Sequence, residues 1–118
     1  MTSSFGPYIR ERRERLRAAD PRFSLRQVAS RMGVQPSFLS KVERGLDSPP
    51  SEPRIRALAE ILGEDSDVLL AMAGRVSSDL QDAIRRRPRL FAELIRRLKD
   101  LPDRAVEEIA HEVRDGRW

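Results

Sequence analysis

The side chains of this sequence that are best suited to binding chemistry lie in one short segment, residues 35–44. If the segment is a helix, with about 100° between residues, one face is small and polar or cationic: Ser37, Ser40, Lys41 and Arg44. Gln35 and Pro36 lie at the N-terminal tip, and none of the six is acidic. Such side chains contact phosphates and base edges in a DNA major groove. An ordinary solvated helix surface has the same composition, so the segment alone leaves both interpretations open.

Other kinds of chemistry find little support. The sequence has no cysteine, which excludes a disulfide, a thiol nucleophile and a cysteine-bound metal. The single histidine, His111, lies among helical charges without companion ligands, so we predict that it faces solvent. No serine has a partner base nearby in the sequence. We therefore predict a protein that is not an enzyme and that uses no metal or other cofactor.

The polar face is positioned by a preceding helix and a tight turn. Ser24 and Gln27 form a capping box that begins the first helix. Gly33 follows it, where a left-handed C-cap is expected. Pro36 falls in the first turn of the second helix, where no N–H donor is needed, and Gly45 ends that helix. The apolar face of the first helix consists of Leu25, Val28, Ala29 and Met32. Two short helices joined by a glycine turn, the second with an acid-free exposed face, predict a helix-turn-helix.

Charge is unevenly distributed along the 118 residues, whose net charge is +4. Residues 1–50 have ten basic and five acidic side chains, a net +5, whereas residues 51–74 have a net −3 and residues 75–118 a net +2. The basic excess thus coincides with the predicted helix-turn-helix, as expected for a DNA-binding surface. No apolar run approaches the ~20 residues of a membrane span or resembles a signal peptide. We expect a soluble cytoplasmic protein without a membrane partner.

The remaining residues before Gly74 predict three more helices. Residues 5–19 form the first, followed by a loop over residues 19–23 in which Phe23 anchors the turn to the core. A rigid loop follows Gly45, and Ser51 caps a helix that ends at Leu62. Asp65 caps a short helix, and we place a domain boundary at Gly74.

Residues 75–118 predict a further set of three helices. Ser78 and Gln81 form a second capping box, Pro88 ends the first helix at about Arg87, and Pro102 begins the last. The second and third helices have apolar stripes, which are assigned to dimerisation: Leu90, Phe91, Leu94, Ile95, Leu98, Val106, Ile109 and Val113. The alternative is that this segment folds back on its own domain and that dimers form through residues 46–74. Trp118 either covers the edge of the dimer interface or packs against nothing. The three arginines at residues 85–87 are compatible with a contact to DNA, a contact to an acidic partner, or a solvated helix end.

Residues 5–74 resemble the lambda-repressor-like (XRE) family of helix-turn-helix DNA-binding proteins. The matching residues are Ala29, Gly33, Val34, the run from Leu39 to Gly45, Pro50, Ser51, Leu58, Ala59, Leu62 and Gly63. The resemblance implies a compact five-helix DNA-binding domain, which we place over residues 1–74, that binds DNA with the second helix of the motif. With the three helices predicted for residues 75–118, which we assign as a helical oligomerisation segment, the expected fold is all-α. The resemblance also implies an ion pair between Arg13 and Glu43 that ties the first helix to the recognition helix. Leu25 stands where many members have a glutamine that contacts a phosphate.

From these features we expect a transcriptional regulator, a homodimeric repressor that binds double-stranded DNA at a two-fold symmetric operator. The expected base contacts are Gln35, Pro36, Ser37 and Lys41. The expected phosphate contacts are Arg26, Gln27, Ser40 and Arg44. A different class of function is also open: an antitoxin or adaptor whose C-terminal helices hold a regulatory protein partner.

Overall fold

The computed structural model of the chain describes residues 5–116, and the regular structure in this range is entirely helical, as predicted. A 3₁₀ turn, Pro21–Phe23, lies between the first two helices. The α-helices are α1 (Phe5–Ala19), α2 (Leu25–Met32), α3 (Pro36–Glu43), α4 (Glu52–Leu62), α5 (Ser66–Met72), α6 (Ser78–Arg86), α7 (Pro88–Leu98) and α8 (Asp103–Asp115). They divide into two compact units, one ending at Ser77 and the other beginning at Ser78. None of the helices in the described range is long and apolar enough to cross a membrane.

The N-terminal unit has a single apolar core to which all five of its helices contribute. Each helix turns its periodic apolar side chains inward, and the fully buried ones include Phe5, Ile9, Val28, Leu39, Ile55, Leu58, Leu62, Leu69 and Leu70. Phe23 is half-buried against this core, which confirms its predicted role as the anchor of the 3₁₀ turn. The core holds α2 and α3 in the helix-turn-helix arrangement because both bury one face in it.

The turn between α2 and α3 has the geometry predicted for Gly33. Its φ is +75°, a left-handed conformation that costs glycine little because it has no Cβ. The Gly33 N–H donates to the Ser30 carbonyl at 3.1 Å, and the Val34 N–H donates to the Ala29 carbonyl at 3.0 Å. These two bonds form a Schellman motif, which satisfies carbonyls at the end of α2 and sets the direction in which the chain enters α3.

Some predicted caps differ from the structure. At Ser24 only half of the capping box forms: its hydroxyl accepts the Gln27 N–H at 3.2 Å, but its own N–H donates to the Pro21 carbonyl at 3.1 Å. The Ser24 N–H, which would donate to the Gln27 side chain in a complete capping box, is therefore already bonded within the 3₁₀ turn. Ser51 occupies the N-cap of α4 without a side-chain cap bond. α6 begins at Ser78 itself, one residue earlier than the second capping box predicts.

The 3₁₀ turn before α2 is held by Asp20. The Asp20 carboxylate accepts the Arg22 backbone N–H at 2.9 Å and the Arg22 guanidinium at 2.7 Å. The hydrogen bonds from Arg22 lower the pKa of Asp20 below its usual value. The sequence predicted this stretch as a loop, and the structure corrects that prediction because the Asp20 cap and the fixed φ of Pro21 wind it into a short helix.

The C-terminal unit contains α6, α7 and α8, and its described part, residues 78–116, has no buried core. None of the residues in these three helices is buried. Of the predicted dimerisation residues, five are exposed: Leu90, Leu94, Ile95, Ile109 and Val113. Phe91, Leu98 and Val106 are half-buried. His111 is exposed, as predicted, whereas Trp118 lies outside the described residues.

Candidate nucleic-acid interface

The outward face of α3 presents the polar side chains that the sequence singled out. Gln35 is the N-cap residue of α3, and Pro36 is its first helical residue. Ser37, Lys41 and Arg44 are exposed together with Gln35, whereas Pro36 and Ser40 are half-buried. Leu39 and Val42 are buried on the opposite face, as predicted. The structure therefore brings the four predicted base-contact residues, with Ser40 and Arg44, onto one helix and its tip.

The only carboxylate of α3, that of Glu43, does not reach this surface. The Glu43 side chain is 4% exposed, and so is the Arg13 side chain that pairs with it. Arg13 Nε donates to Glu43 Oε2 at 2.7 Å, and Arg13 Nη2 donates to Oε1 at 3.0 Å. This bidentate pair confirms the ion pair that the family resemblance implied, and it leaves the exposed face of α3 without a negative charge.

Arg13 also fixes the position of α3 relative to the rest of the unit. Its Nη1 donates to the Phe23 carbonyl at 3.2 Å, and its Nη2 donates to Glu14 Oε1 at 3.0 Å. The hydrogen bond to the Glu43 carboxylate raises the pKa of Arg13 above its usual value, so the guanidinium stays charged. One side chain therefore connects α1, the 3₁₀ turn and the end of α3.

A second contact between α1 and α3 depends on Gly6. A Cβ built at Gly6 would lie 2.3 Å from the Val42 carbonyl oxygen and 2.9 Å from the Glu43 carbonyl oxygen. Both neighbours are backbone atoms, which cannot move aside as a flexible side chain could. The first turn of α1 thus approaches the last turn of α3 as closely as the absence of a Cβ allows.

Arg44 and Lys41 occupy the C-terminal half of the exposed face. The Arg44 Nε donates to the Ser40 carbonyl at 3.3 Å, so the guanidinium folds over the last turn of its own helix. Lys41 is exposed and makes no ion pair within residues 5–116. Both cations are therefore available to a polyanion in front of α3.

The other predicted phosphate-contact residues lie on α2. Arg26 and Gln27 are exposed in its first turn, and Leu25 before them is half-buried against the core. Leu25 thus acts as a packing residue at the position where the family often has a phosphate-binding glutamine. Arg31, which the sequence did not single out, lies with its guanidinium 5.7 Å from the centre of the Phe23 ring. This distance is typical of a cation–π contact, which orients Arg31.

Arg75, which is distant in the sequence, restrains the loop after α3 by direct hydrogen bonds. The Arg75 guanidinium donates to the Pro50 carbonyl through Nη1 and to the Pro49 carbonyl through Nη2, the latter at 3.1 Å. Nothing in the local sequence pattern indicated this contact, because it joins residues 25 positions apart. Arg75 therefore restrains a loop whose exposed part, residues 46–48, directly follows the candidate DNA-binding helix.

The described residues offer no arrangement for metal chemistry. Within residues 5–116, no group of three or more histidine, cysteine, aspartate or glutamate side chains is placed to hold a metal ion. The geometry of the site is that of a surface for a polyanion: an exposed helix face with cations, a small polar tip and no acid.

Comparison with known proteins agrees with this geometry. The helix-turn-helix domain family matches residues 4–72 of the chain. Two curated relatives from strains of Mycobacterium tuberculosis, each named as an uncharacterized HTH-type transcriptional regulator, are 36% identical to the chain over 83 residues. The matched part is 67% of this chain and 55% of each relative, so the chain spans about half the length of the curated relatives it matches. No solved structure matches it. The chain belongs to the helix-turn-helix domain family of DNA-binding proteins and is of the lambda-repressor-like (XRE) type.

Proposed function

We propose that the protein is a sequence-specific transcriptional regulator, a homodimeric repressor that binds a two-fold symmetric operator through α3. The observation that supports this most is the acid-free outer face of α3, whose only carboxylate, that of Glu43, lies on the buried side of the helix and pairs with Arg13. A carboxylate on that face would repel phosphates, whereas the observed serines, lysine and arginine attract them. The names of the two mycobacterial relatives support a role in transcription.

In this proposal, the N-terminal end and centre of α3 contact base edges. The side chains assigned to bases are Gln35, Pro36, Ser37 and Lys41. Lysine donates to guanine O6 and N7, and Pro36 offers an apolar surface to a thymine methyl group. The side chains assigned to phosphates, which fix the register of the protein on DNA, are Arg26, Gln27, Ser40 and Arg44.

Lys41→Ala is expected to weaken binding to the cognate site by about 1–3 kcal/mol and to relax the preference at one base pair in each half-site. The physical reason is the loss of a cationic donor to a base edge. The cognate site is first obtained by selecting bound sequences from random DNA. Fluorescence anisotropy against that site and its single-base variants then measures the loss. Normal binding by Lys41→Ala would show that α3 docks through a different face.

Arg44→Ala provides the contrast, because Arg44 is assigned to a phosphate. It is expected to weaken binding to all sequences alike and to reduce the slope of log K against log salt by about one unit per half-site. A change in base preference with an unchanged salt slope would contradict the assignment. The two variants together separate base contacts from phosphate contacts.

The proposed homodimer uses the C-terminal unit. α6, α7 and α8 expose apolar stripes and bury no residue, so they lack a core that could stabilise them alone. A second copy of the unit covers the stripes and supplies two-fold symmetry. Two copies of α3 can then occupy half-sites one helical turn, ~34 Å, apart. Residues 1–74 are in this proposal the DNA-binding domain, and residues 75–118 the oligomerisation segment.

A protein that ends at Ser77 is therefore expected to be a monomer that keeps the helices of the N-terminal unit and loses ~100-fold or more in operator affinity. Ending at Ser77 rather than Gly74 retains Arg75 and its contacts to the loop after α3. Sedimentation equilibrium measures the association, circular dichroism the helix content, and anisotropy the affinity. A truncated protein that still dimerises would place the dimer interface in the N-terminal unit.

A matched pair of substitutions in the full chain tests the same point. Leu94 in α7 and Val68 in α5 are both 48% exposed. Leu94→Glu is expected to dissociate the dimer, whereas Val68→Glu is expected to leave it intact. The opposite result would support a dimer formed through residues 46–74.

The exposed stripes also fit the second function, an adaptor or antitoxin that holds a partner protein. DNA binding distinguishes the two. A regulator produces a specific, salt-dependent complex with its selected site, whereas a pure adaptor shows no preferred sequence.

A further inference from the structure

Positive charge is concentrated a second time in the chain, in residues 85–100. This segment has seven basic and two acidic side chains, a net charge of +5. The ten residues before it have a net charge of −1, and the eighteen residues after it have a net charge of −2. The segment contains the last two residues of α6 and the whole of α7. It therefore has the same net positive charge as residues 1–50, within a third of their length.

Two arginines of α7 face away from its apolar stripe. At about 100° per residue, Arg89 and Arg96 lie within about 20° of each other around the helix and ~10.5 Å apart along its axis. The apolar stripe, which includes Leu90, Leu94 and Leu98, lies on the opposite side of the helix. A second copy of the chain that covers the stripe therefore leaves the two arginines exposed.

The guanidinium groups of Arg89 and Arg96 are not neutralised within the protein. Both side chains are exposed, and neither forms an ion pair within residues 5–116. Both line a shallow groove on the outer side of α7, to which Arg97, Glu93 and Asp100 also contribute. Glu93 already pairs with Arg97 at 3.3 Å. Asp100 is the one other carboxylate among the described residues that line the groove, so the groove keeps a net positive charge.

Two unpaired guanidinium groups on one helix face are suited to phosphate oxygens. A guanidinium is planar, stays charged at physiological pH and can donate two parallel hydrogen bonds to one phosphate. Double-stranded DNA has one negative charge per ~1.7 Å of its axis, so phosphates are available at the spacing of the two arginines. An acidic protein segment would also supply anions, but the chain belongs to a family that binds DNA. DNA is therefore the polyanion that these arginines meet when the protein is bound.

We propose that the outer face of α7 is a second DNA-binding surface, on which Arg89 and Arg96 bind backbone phosphates outside the base pairs that α3 contacts. The inference rests on the proposed binding of DNA through α3 and adds a contact from the C-terminal unit. α7 then has two functions: its apolar stripe meets the second copy, and its opposite face binds phosphates. Such contacts raise the affinity for every sequence and leave the choice of sequence to α3.

Arg89→Gln/Arg96→Gln in the full chain tests this surface. The variant is expected to weaken DNA binding by about tenfold to a hundredfold at about 0.1 M salt, and to reduce the slope of log K against log salt by about two units for each bound chain. The loss is expected both for the selected site with flanking DNA on each side and for a random duplex of the same length. The preference among single-base variants of the site is expected to stay unchanged. Arg89→Lys/Arg96→Lys keeps both charges and is expected to retain most of the slope.

Arg104→Gln/Arg114→Gln is the matched control. Both arginines are exposed in the same unit, but they lie on α8, whose net charge is −3. The control removes the same total charge and is expected to change DNA affinity by less than about threefold. Fluorescence anisotropy over a series of salt concentrations compares the two variants. Sedimentation equilibrium and circular dichroism check that association and helix content persist.

Asp100→Asn provides a test that a folding defect cannot imitate, because the expected change is a gain. The Asp100 carboxylate lines the same groove as Arg89 and Arg96 and repels phosphates there. Its removal is expected to strengthen DNA binding roughly two- to fivefold. Asp115→Asn removes an exposed carboxylate from α8 and is expected to leave the affinity unchanged.

Several results would overturn the proposed surface. Wild-type affinity and salt slope in Arg89→Gln/Arg96→Gln would leave the arginines to solvent or to an acidic protein. A loss equal to that of the α8 control would show an effect of total charge rather than a contact, and a loss accompanied by dissociation of the dimer would place the arginines in the dimer interface. A protein that binds selected and random DNA equally contradicts sequence-specific regulation, yet the α7 variants still show whether the groove binds phosphates. A protein that binds no DNA rejects both proposals.

Discussion

Arg13→Met is expected to lower the free energy of unfolding of the N-terminal unit by about 3–5 kcal/mol, the cost of leaving one partner of a buried ion pair without the other. The Arg13 and Glu43 side chains are each 4% exposed, so water cannot solvate the carboxylate that remains. The bidentate hydrogen bonds at 2.7 and 3.0 Å are lost together with the bond to the Phe23 carbonyl. We expect the full cost of an unpaired buried charge, because solvent does not screen either side chain of the pair.

Urea denaturation followed by circular dichroism measures this loss, and Arg15→Met is the matched control. Arg15 lies on the same helix and pairs with Glu11, but the two side chains are 69% and 64% exposed. Exposed pairs of this kind contribute about 0.3–0.5 kcal/mol. Arg12 is a poorer control, because its Nε donates to the Leu62 carbonyl and contacts Glu64. Equal losses from Arg13→Met and Arg15→Met would contradict the buried pair.

The double variant Arg13→Met/Glu43→Leu separates the cost of an unpaired charge from a general packing defect. Replacing both members of a buried pair with apolar side chains of similar size is often neutral or stabilising. The double variant is therefore expected to recover most of the stability lost in Arg13→Met. A double variant as unstable as the single one would show that the loss comes from packing around Arg13.

Gly6→Ala is expected to lower the free energy of unfolding by about 2–3 kcal/mol, towards the upper end of the usual cost of overpacking. The added Cβ would lie 2.3 Å from the Val42 carbonyl oxygen and 2.9 Å from that of Glu43. Relief requires α1 to move away from the end of α3. We therefore also expect weaker binding to the proposed operator, because α3 presents the residues that we propose as base contacts.

Whether Gly6→Ala lowers or raises the free energy of unfolding tests the close approach of α1 to α3. Replacing glycine with alanine inside a helix ordinarily stabilises a protein by roughly 0.5–1 kcal/mol. Thermal and urea denaturation of Gly6→Ala measure the change, and Ala18→Gly, at an exposed position of the same helix, calibrates the intrinsic preference. A gain in stability would show that α1 and α3 are farther apart than the structure places them.

The elements of the fold were predictable because their signals are local. Gly33 ends α2 in the left-handed conformation, and Pro36 begins α3, both as predicted. A cap or an amphipathic face depends on residues within one or two turns, and that information is contiguous in the sequence. Arg13 and Glu43 are 30 residues apart, and the family resemblance, rather than periodicity, indicated their pairing.

Other features depended on contacts between distant residues, which no local pattern encodes. The reciprocal half of the Ser24 capping box is absent because the 3₁₀ turn supplies the Pro21 carbonyl to the same N–H. In the sequence, nothing distinguishes Gly6 from an ordinary residue near the start of a helix. Only the packing of α1 on α3 explains why a Cβ is excluded at this position.

The sequence by itself thus determined the helices, the turn between α2 and α3 and the composition of the exposed face of α3. Their periodicity and caps are local properties of the chain. Only the tertiary structure decided that Gly6 lies against the end of α3, that Arg75 restrains the loop after α3, and that α6, α7 and α8 bury no residue. The physical reason is that the burial of a residue depends on which segments, distant in the sequence, pack against it.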